Sequence, residues 1–169
     1  MHALVKLAKD AVELYVREGK ALAVREDALG PEFRERAAVF VCLKIRGVLR
    51  GCIGTFQPSE PTIAQETVRN AISAATCDPR FMCIRPEELD SIEYTVDVLT
   101  PPEPVRDAGE LDPRRYGVLV QSGARRGLLL PDLEGVDTVD EQIGISMQKA
   151  GIPSGAPVSL FRFEVRRYT

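Results

Sequence analysis

The residue types able to do chemistry are concentrated in one short apolar segment, Leu49-Arg50-Gly51-Cys52-Ile53-Gly54. Side chains alternate along a strand, so Arg50 and Cys52 fall on one face and Leu49, Gly51 and Ile53 on the other. A guanidinium beside a thiol stabilises the thiolate. Cys52 would then be a nucleophile, a redox thiol or a soft-metal ligand, and Arg50 an anchor for an anionic substrate. Gly51 and Gly54 lie inside or at the end of the apolar run, where glycine marks a bulge or the close approach of another group. The same residues admit a structural reading. Cys52 is then a small buried hydrophobe, the glycines a bend, and Arg50 the partner of a carboxylate.

Composition removes most other chemistry. The chain of 169 residues has one histidine, His2, and no tryptophan. That excludes most Ser-His-Asp and Cys-His machinery and His-based zinc sites. The cysteines, Cys42, Cys52, Cys77 and Cys83, lack C-x-x-C spacing. They read as four free thiols of a cytoplasmic protein, with no zinc ribbon, metal site or cofactor motif. A formal net charge of -3 gives no broad nucleic-acid footprint. The pairs Arg114-Arg115, Arg125-Arg126 and Arg166-Arg167 read as solvated loops or strand ends. No run approaches the ~18 apolar residues of a membrane span, and the N-terminal segment lacks a signal-peptide core. Oligomeric state is not legible.

The elements that must position the hexapeptide follow from periodicity. Leu4, Leu7, Ala8, Ala11, Leu14 and Tyr15 form a helical stripe that Gly19 stops. Residues 25–36 read as a loop with a short helical turn. Two apolar runs, 37–45 and 48–56, flank Arg46-Gly47 and predict a tight hairpin, although arginine suits a type I′ turn poorly. A two-residue loop sets Ile45 opposite Val48, Leu43 opposite Arg50 and Val41 opposite Cys52. Ser59 or Thr62 caps a helix whose apolar side includes Ile63, Val68, Ala71 and Ala75, and which Asp78-Pro79 ends. Pro86 opens a helical turn, and residues 92–98 alternate as a half-buried strand. Residues 101–104 are proline-rich and read as a stiff connector. Strands follow at 116–120 and 127–130, then a helix opened by the capping box Thr138–Glu141, then a last strand through residues 159–166. The order predicts a two-lobed α+β fold, mainly antiparallel sheet flanked by helices. The chain reads as a single domain over 1–169, with a larger lobe of 1–104 plus 152–169 and a smaller lobe of 105–151.

The segment LRGCIGTF resembles the signature of the AMMECR domain family. Asp78-Pro79-Arg80-Phe81, Pro86-Glu87-Glu88-Leu89, Tyr116-Gly117-Val118, the 127–131 run and Lys149-Ala150-Gly151 resemble further family blocks in order. The resemblance covers nearly the whole chain. It implies a two-lobed fold with the hexapeptide near a cleft between lobes, and no established reaction. It also implies association with a Memo-like protein and a radical SAM protein, so an accessory or binding subunit is the leading expectation. A thiol-dependent enzyme using Cys52 and Arg50 is the alternative. Site residues carried by the match are Leu49, Arg50, Gly51, Cys52, Ile53, Gly54, Asp78, Arg80 and Phe81. Met82-Cys83 departs from the proline common after that Phe, and Cys77 is not called for by the family pattern. Asp78 and Arg80 also suit a structural role at the helix end. Glu66 is an acid/base candidate, although a solvated face or an ion pair with Arg69 explains it more simply.

Overall fold

The helical stripe at the start of the chain forms α1, Ala3–Glu18. His2 caps it, with Nδ1 accepting from the Leu4 amide, and Gly19 closes it in the left-handed region. The computed structural model describes residues 1–25 and 30–169. The 26–29 portion of the expected loop lies outside the described residues, while Pro31–Arg34 forms the short helical turn. The chain divides into two compact units, Met1–Val98 with Arg166–Thr169, and Leu99–Val165.

The first unit holds a sheet of order β2-β1-β3-β8, with β1 Val39–Ile45, β2 Val48–Gly54, β3 Ile92–Leu99 and β8 Val165–Tyr168. β1 runs antiparallel to both neighbours. Arg46 and Gly47 both take positive φ, so the hairpin turn is of the I′ kind despite the arginine. Val39, Val41 and Leu43 project into a core shared with Tyr94, Val96, α1 and α2, Ile63–Thr76. Between Ser59 and Thr62, the capping residue of α2 is Thr62, which accepts from the Gln65 amide. Ala71, Ala74 and Ala75 let α2 lie close on the sheet. At Gly51 a Cβ would overlap the carbonyl oxygen of Ala74, so the close approach requires glycine.

The second unit holds a sheet of order β4-β7-β5-β6, with β4 Glu103–Val105, β5 Gly117–Ser122, β6 Arg125–Leu129 and β7 Ser159–Phe163. α3, Val139–Lys149, carries the expected capping box and packs on β6 over Val118, Val120 and Leu129. At Gly127 a Cβ would overlap the carbonyl oxygen of Ser146. The α+β class with antiparallel sheets is the one the element order implied.

The connections differ from expectation. The proline-rich stretch contributes β4, where Pro104 faces Phe161. An edge strand tolerates a residue without an N–H, which is why the proline is no obstacle. The last strand breaks at Glu164, whose amide donates to Thr100 Oγ1 while its carbonyl accepts from the Thr100 amide. β7 therefore pairs in the second sheet and β8 in the first. Residues 99–104 and 152–165 fall in the second unit.

Candidate functional site

The register of the first hairpin decides what the hexapeptide can do. Ile45 faces Val48 and Lys44 faces Leu49, but Leu43 then faces Gly51 and Cys42 faces Cys52. Arg50 is the extra residue of a β-bulge, and every pairing beyond it differs from the unbroken register. The Cys52 amide points away from β1, so Cys42 and Cys52 oppose each other without ladder bonds, the arrangement with the closer backbones. Their Cα atoms are 4.1 Å apart and the two sulfurs form a disulfide. The expectation of four free thiols is corrected: Cys77 and Cys83 are the free ones, both exposed. The thiol count accordingly loses its force as an argument for a compartment.

Nor does Arg50 accompany the Cys52 sulfur. Its guanidinium donates to Glu88 Oε1 at 2.8 Å and Oε2 at 3.1 Å, and to the carbonyls of Met82 at 2.8 Å and Cys83 at 3.3 Å. This two-point pairing, little exposed to solvent, holds the Glu88 carboxyl below its ordinary range. Glu88 was not singled out from sequence. It sits in the first turn of the Pro86–Ser91 helical segment, where a carboxylate also accepts from the Arg85 amide. A Pro-Glu-Glu helix start was the one signal that could have marked it.

The second family block guards the same strand. β2 is the edge of its sheet, with unpaired backbone groups facing outward. Asp78 Oδ2 accepts from the Cys52 amide at 2.9 Å, and Arg80 Nη2 donates to the Cys52 carbonyl at 3.2 Å. Two side chains thus complete what a neighbouring strand would otherwise supply. Asp78 is buried and also accepts from Arg80 Nε at 2.9 Å, Arg80 Nη2 at 2.7 Å and the Arg80 amide at 3.1 Å. The Arg80 hydrogen bonds, with that from Cys52, outweigh desolvation and hold the Asp78 carboxyl far below the usual carboxylate range. The Phe81 amide donates to the Asp78 carbonyl, and the Arg80 guanidinium carbon lies 5.5 Å from the Phe81 ring centroid.

The remaining candidates are placed as follows. Leu49 is half-buried in β2, and Ile53 packs against the core. At Gly54 a Cβ would overlap the Phe40 ring across the strand pair. Glu66 is not on a solvated face and does not pair with Arg69, which bonds Glu60 instead. Its carboxylate is fully buried and accepts from Thr55 Oγ1 at 2.5 Å, the Ser59 amide at 2.8 Å and the Glu60 amide at 2.7 Å, with Ser59 Oγ and Asn70 Nδ2 adding to the cage. Burial pushes this carboxyl up, and the hydrogen bonds more than reverse it, leaving it lowered. Glu66 thereby ties the segment after β2 to α2. His2 stacks on Tyr168, centroids 4.2 Å apart, besides capping α1. Among the described residues no cluster of three or more His, Cys, Asp or Glu is arranged to hold a metal ion, and no helix is long and apolar enough to cross a membrane.

Comparisons with known proteins give the family and the fold. The AMMECR1 family profile matches residues 5–169. A protein of Thermotoga maritima is 54% identical over 99% of this chain and 97% of its own length. One of Clostridium acetobutylicum is 46% identical over 97% of this chain, which spans 35% of that longer protein. The crystal structure of an uncharacterised protein from Pyrococcus horikoshii superposes with a TM-score of 0.88 at 34% identity, covering 97% of this chain and 88% of that one.

Proposed function

The chain belongs to the AMMECR1 family, and on that premise we propose that it is a non-catalytic binding subunit serving a Memo-like protein and a radical SAM protein. The observation that carries this reading is the commitment of every reactive-looking group in the signature to an internal bond. Cys52 is joined to Cys42, Arg50 spends four of its five N–H groups on Glu88 and two carbonyls, and Asp78 holds Arg80 and the Cys52 amide. The signature braces a hairpin and the 78–88 segment beside it. Two large apolar side chains of this braced region face outward, Val48 at the hairpin tip and Met82 beside Arg50, 70% and 85% exposed, among exposed charged residues that include Arg46, Arg80 and Arg85. Methionine is favoured at docking surfaces because its flexible, polarizable side chain adapts to a partner.

The alternative reading, a thiol-dependent enzyme with Arg50 as anion anchor, needs Cys52 reduced and Arg50 released from Glu88. The discriminating experiment is retention of the purified Memo-like and radical SAM proteins on the immobilised chain, under reducing and anaerobic conditions. The proposal expects retention by wild type and at least tenfold weaker retention by Val48→Glu and Met82→Glu. No retention by wild type, or full retention by both variants, sinks it.

A further inference from the structure

The second unit carries a cleft of about 390 Å³ beside Tyr116, with Thr100, Glu103, Arg115, Arg162 and Glu164 in its wall. That volume lies within the range of small-molecule sites. Two guanidinium groups address the same ring, Arg162 at 4.5 Å and Arg115 at 4.8 Å from the Tyr116 centroid. Cation–ring attraction positions both heads. Arg162 is held further by Glu103, at 2.7 Å from its Nε, and by the Glu110 carbonyl, at 2.9 Å from Nη1. Arg115 donates through Nε to Glu164 at 3.2 Å, and the Glu164 amide is held by Thr100 Oγ1. Tyr116 is anchored through its carbonyl, which accepts from Gln142 Nε2 at 2.9 Å.

Several strong hydrogen-bonding groups stay unused. Arg162 Nη2, both Nη atoms of Arg115 and the Tyr116 hydroxyl have no protein partner among the described residues. Glu103 and Glu164 each bond through Oε1, leaving Oε2 as an acceptor. The wall therefore offers guanidinium forks suited to a carboxylate, next to carboxylate oxygens suited to an ammonium group. Its two arginines and two glutamates balance. A dianion such as a phosphate ester would meet two carboxylates, and a simple cation would meet two guanidiniums.

We propose that this cleft binds a small zwitterion of the free α-amino-acid type. The ligand's carboxylate bonds the free Nη groups of Arg115 and Arg162 and the Tyr116 hydroxyl, and its ammonium group bonds Glu103 and Glu164. The site is lined by residues of the second unit alone and does not depend on the docking role proposed above.

The test is titration of the full chain with each standard L-amino acid, read by calorimetry and by backbone amide shifts. The best binder is then compared with its N-acetyl derivative, its methyl ester and inorganic phosphate. The expected result is saturable binding that shifts the amides of Tyr116 and Arg162. Either derivative should bind at least tenfold more weakly, as should the ligand to Arg115→Gln, whose side chain is 65% exposed and leaves the fold intact. Glu103→Gln should weaken the amino acid more than its N-acetyl derivative, which a loss of folding would not do. The proposal is overturned if no amino acid saturates below ~10 mM. It is equally overturned if phosphate or the derivatives bind as tightly, or if both variants bind like wild type.

Discussion

Asp78→Asn probes the clamp on the edge strand most directly. The carboxylate accepts four hydrogen bonds, from the Cys52 amide and from three donors of Arg80. Asparagine keeps one acceptor oxygen, so in either orientation its NH2 group faces donors. A hydrogen bond to a charged group contributes about 1.5–3 kcal/mol, and an orphaned buried donor costs about 1–3 kcal/mol. Arg80 is 55% exposed, which limits its own share to about 1 kcal/mol. Together the loss should be about 2–4 kcal/mol at pH 7, a fall in Tm of roughly 5–15 °C for a chain of this size. The folded carboxyl is held below its unfolded value, so this stability is complete above pH ~4 and declines as pH falls. Below the unfolded pKa it shrinks by about 1.4 kcal/mol per pH unit until the native carboxyl protonates. Urea denaturation at pH 7 and pH 3 measures the gap between wild type and variant, and hydrogen exchange at Cys52 localises it to the first unit. A gap under 1 kcal/mol at pH 7, or one unchanged at pH 3, would refute the clamp.

Three further outcomes are expected. Gly51→Ala should cost about 1–3 kcal/mol or more by pushing on the Ala74 carbonyl, whereas Gly144→Ala, with open space at its Cβ in a helix interior, should stabilise by up to ~1 kcal/mol. Thermal denaturation compares the two, and equal signs would contradict the packing described. Glu66→Gln should destabilise by about 2–4 kcal/mol, because its NH2 group confronts donors in the cage. Amide exchange at Ser59 and Glu60 should accelerate with it, and unchanged protection there would refute the cage. Alkylation of the folded chain without reductant should label Cys77 and Cys83 alone, with Cys42 and Cys52 appearing in the mass spectrum only after reduction.

Local rules made much of the fold legible before any coordinates. Thr62, Thr138 and Gly19 mark helix ends by chemistry that acts within four residues, and the structure uses all three. The apolar run of β1 and the alternation of β3 are likewise local signals. What escaped depends on distant partners. A single bulged residue shifts Cys52 from Val41 to Cys42; the neighbouring Gly51 signalled a bulge or a close approach but did not fix which residue is the extra one. Arg69 lies three residues after Glu66, yet it reaches back to Glu60, because Glu66 points into the core. The arginine–carboxylate reading of Arg50 was available, but its partner Glu88 lies 38 residues away. β4 was hidden by its proline and the β7–β8 break by an unbroken alternation, and these two strands are what divide the chain into its units.

The two sheets share one connectivity. β1-β2-α2-β3 builds the order β2-β1-β3, and β5-β6-α3-β7 builds β6-β5-β7, each with a threonine-capped helix. Each module's last strand is followed by a strand given to the other sheet, β4 after β3 and β8 after β7. The third rung from each hairpin tip is a glycine pressed by a helix carbonyl, Gly51 opposite Leu43 and Gly127 opposite Val120. The match holds only when Arg50 is left out of the count. Gly51 therefore answers to a packing rule that the chain obeys twice. What sets the first module apart is one inserted arginine, which turns an ordinary hairpin rung into the anchor for the 82–88 segment.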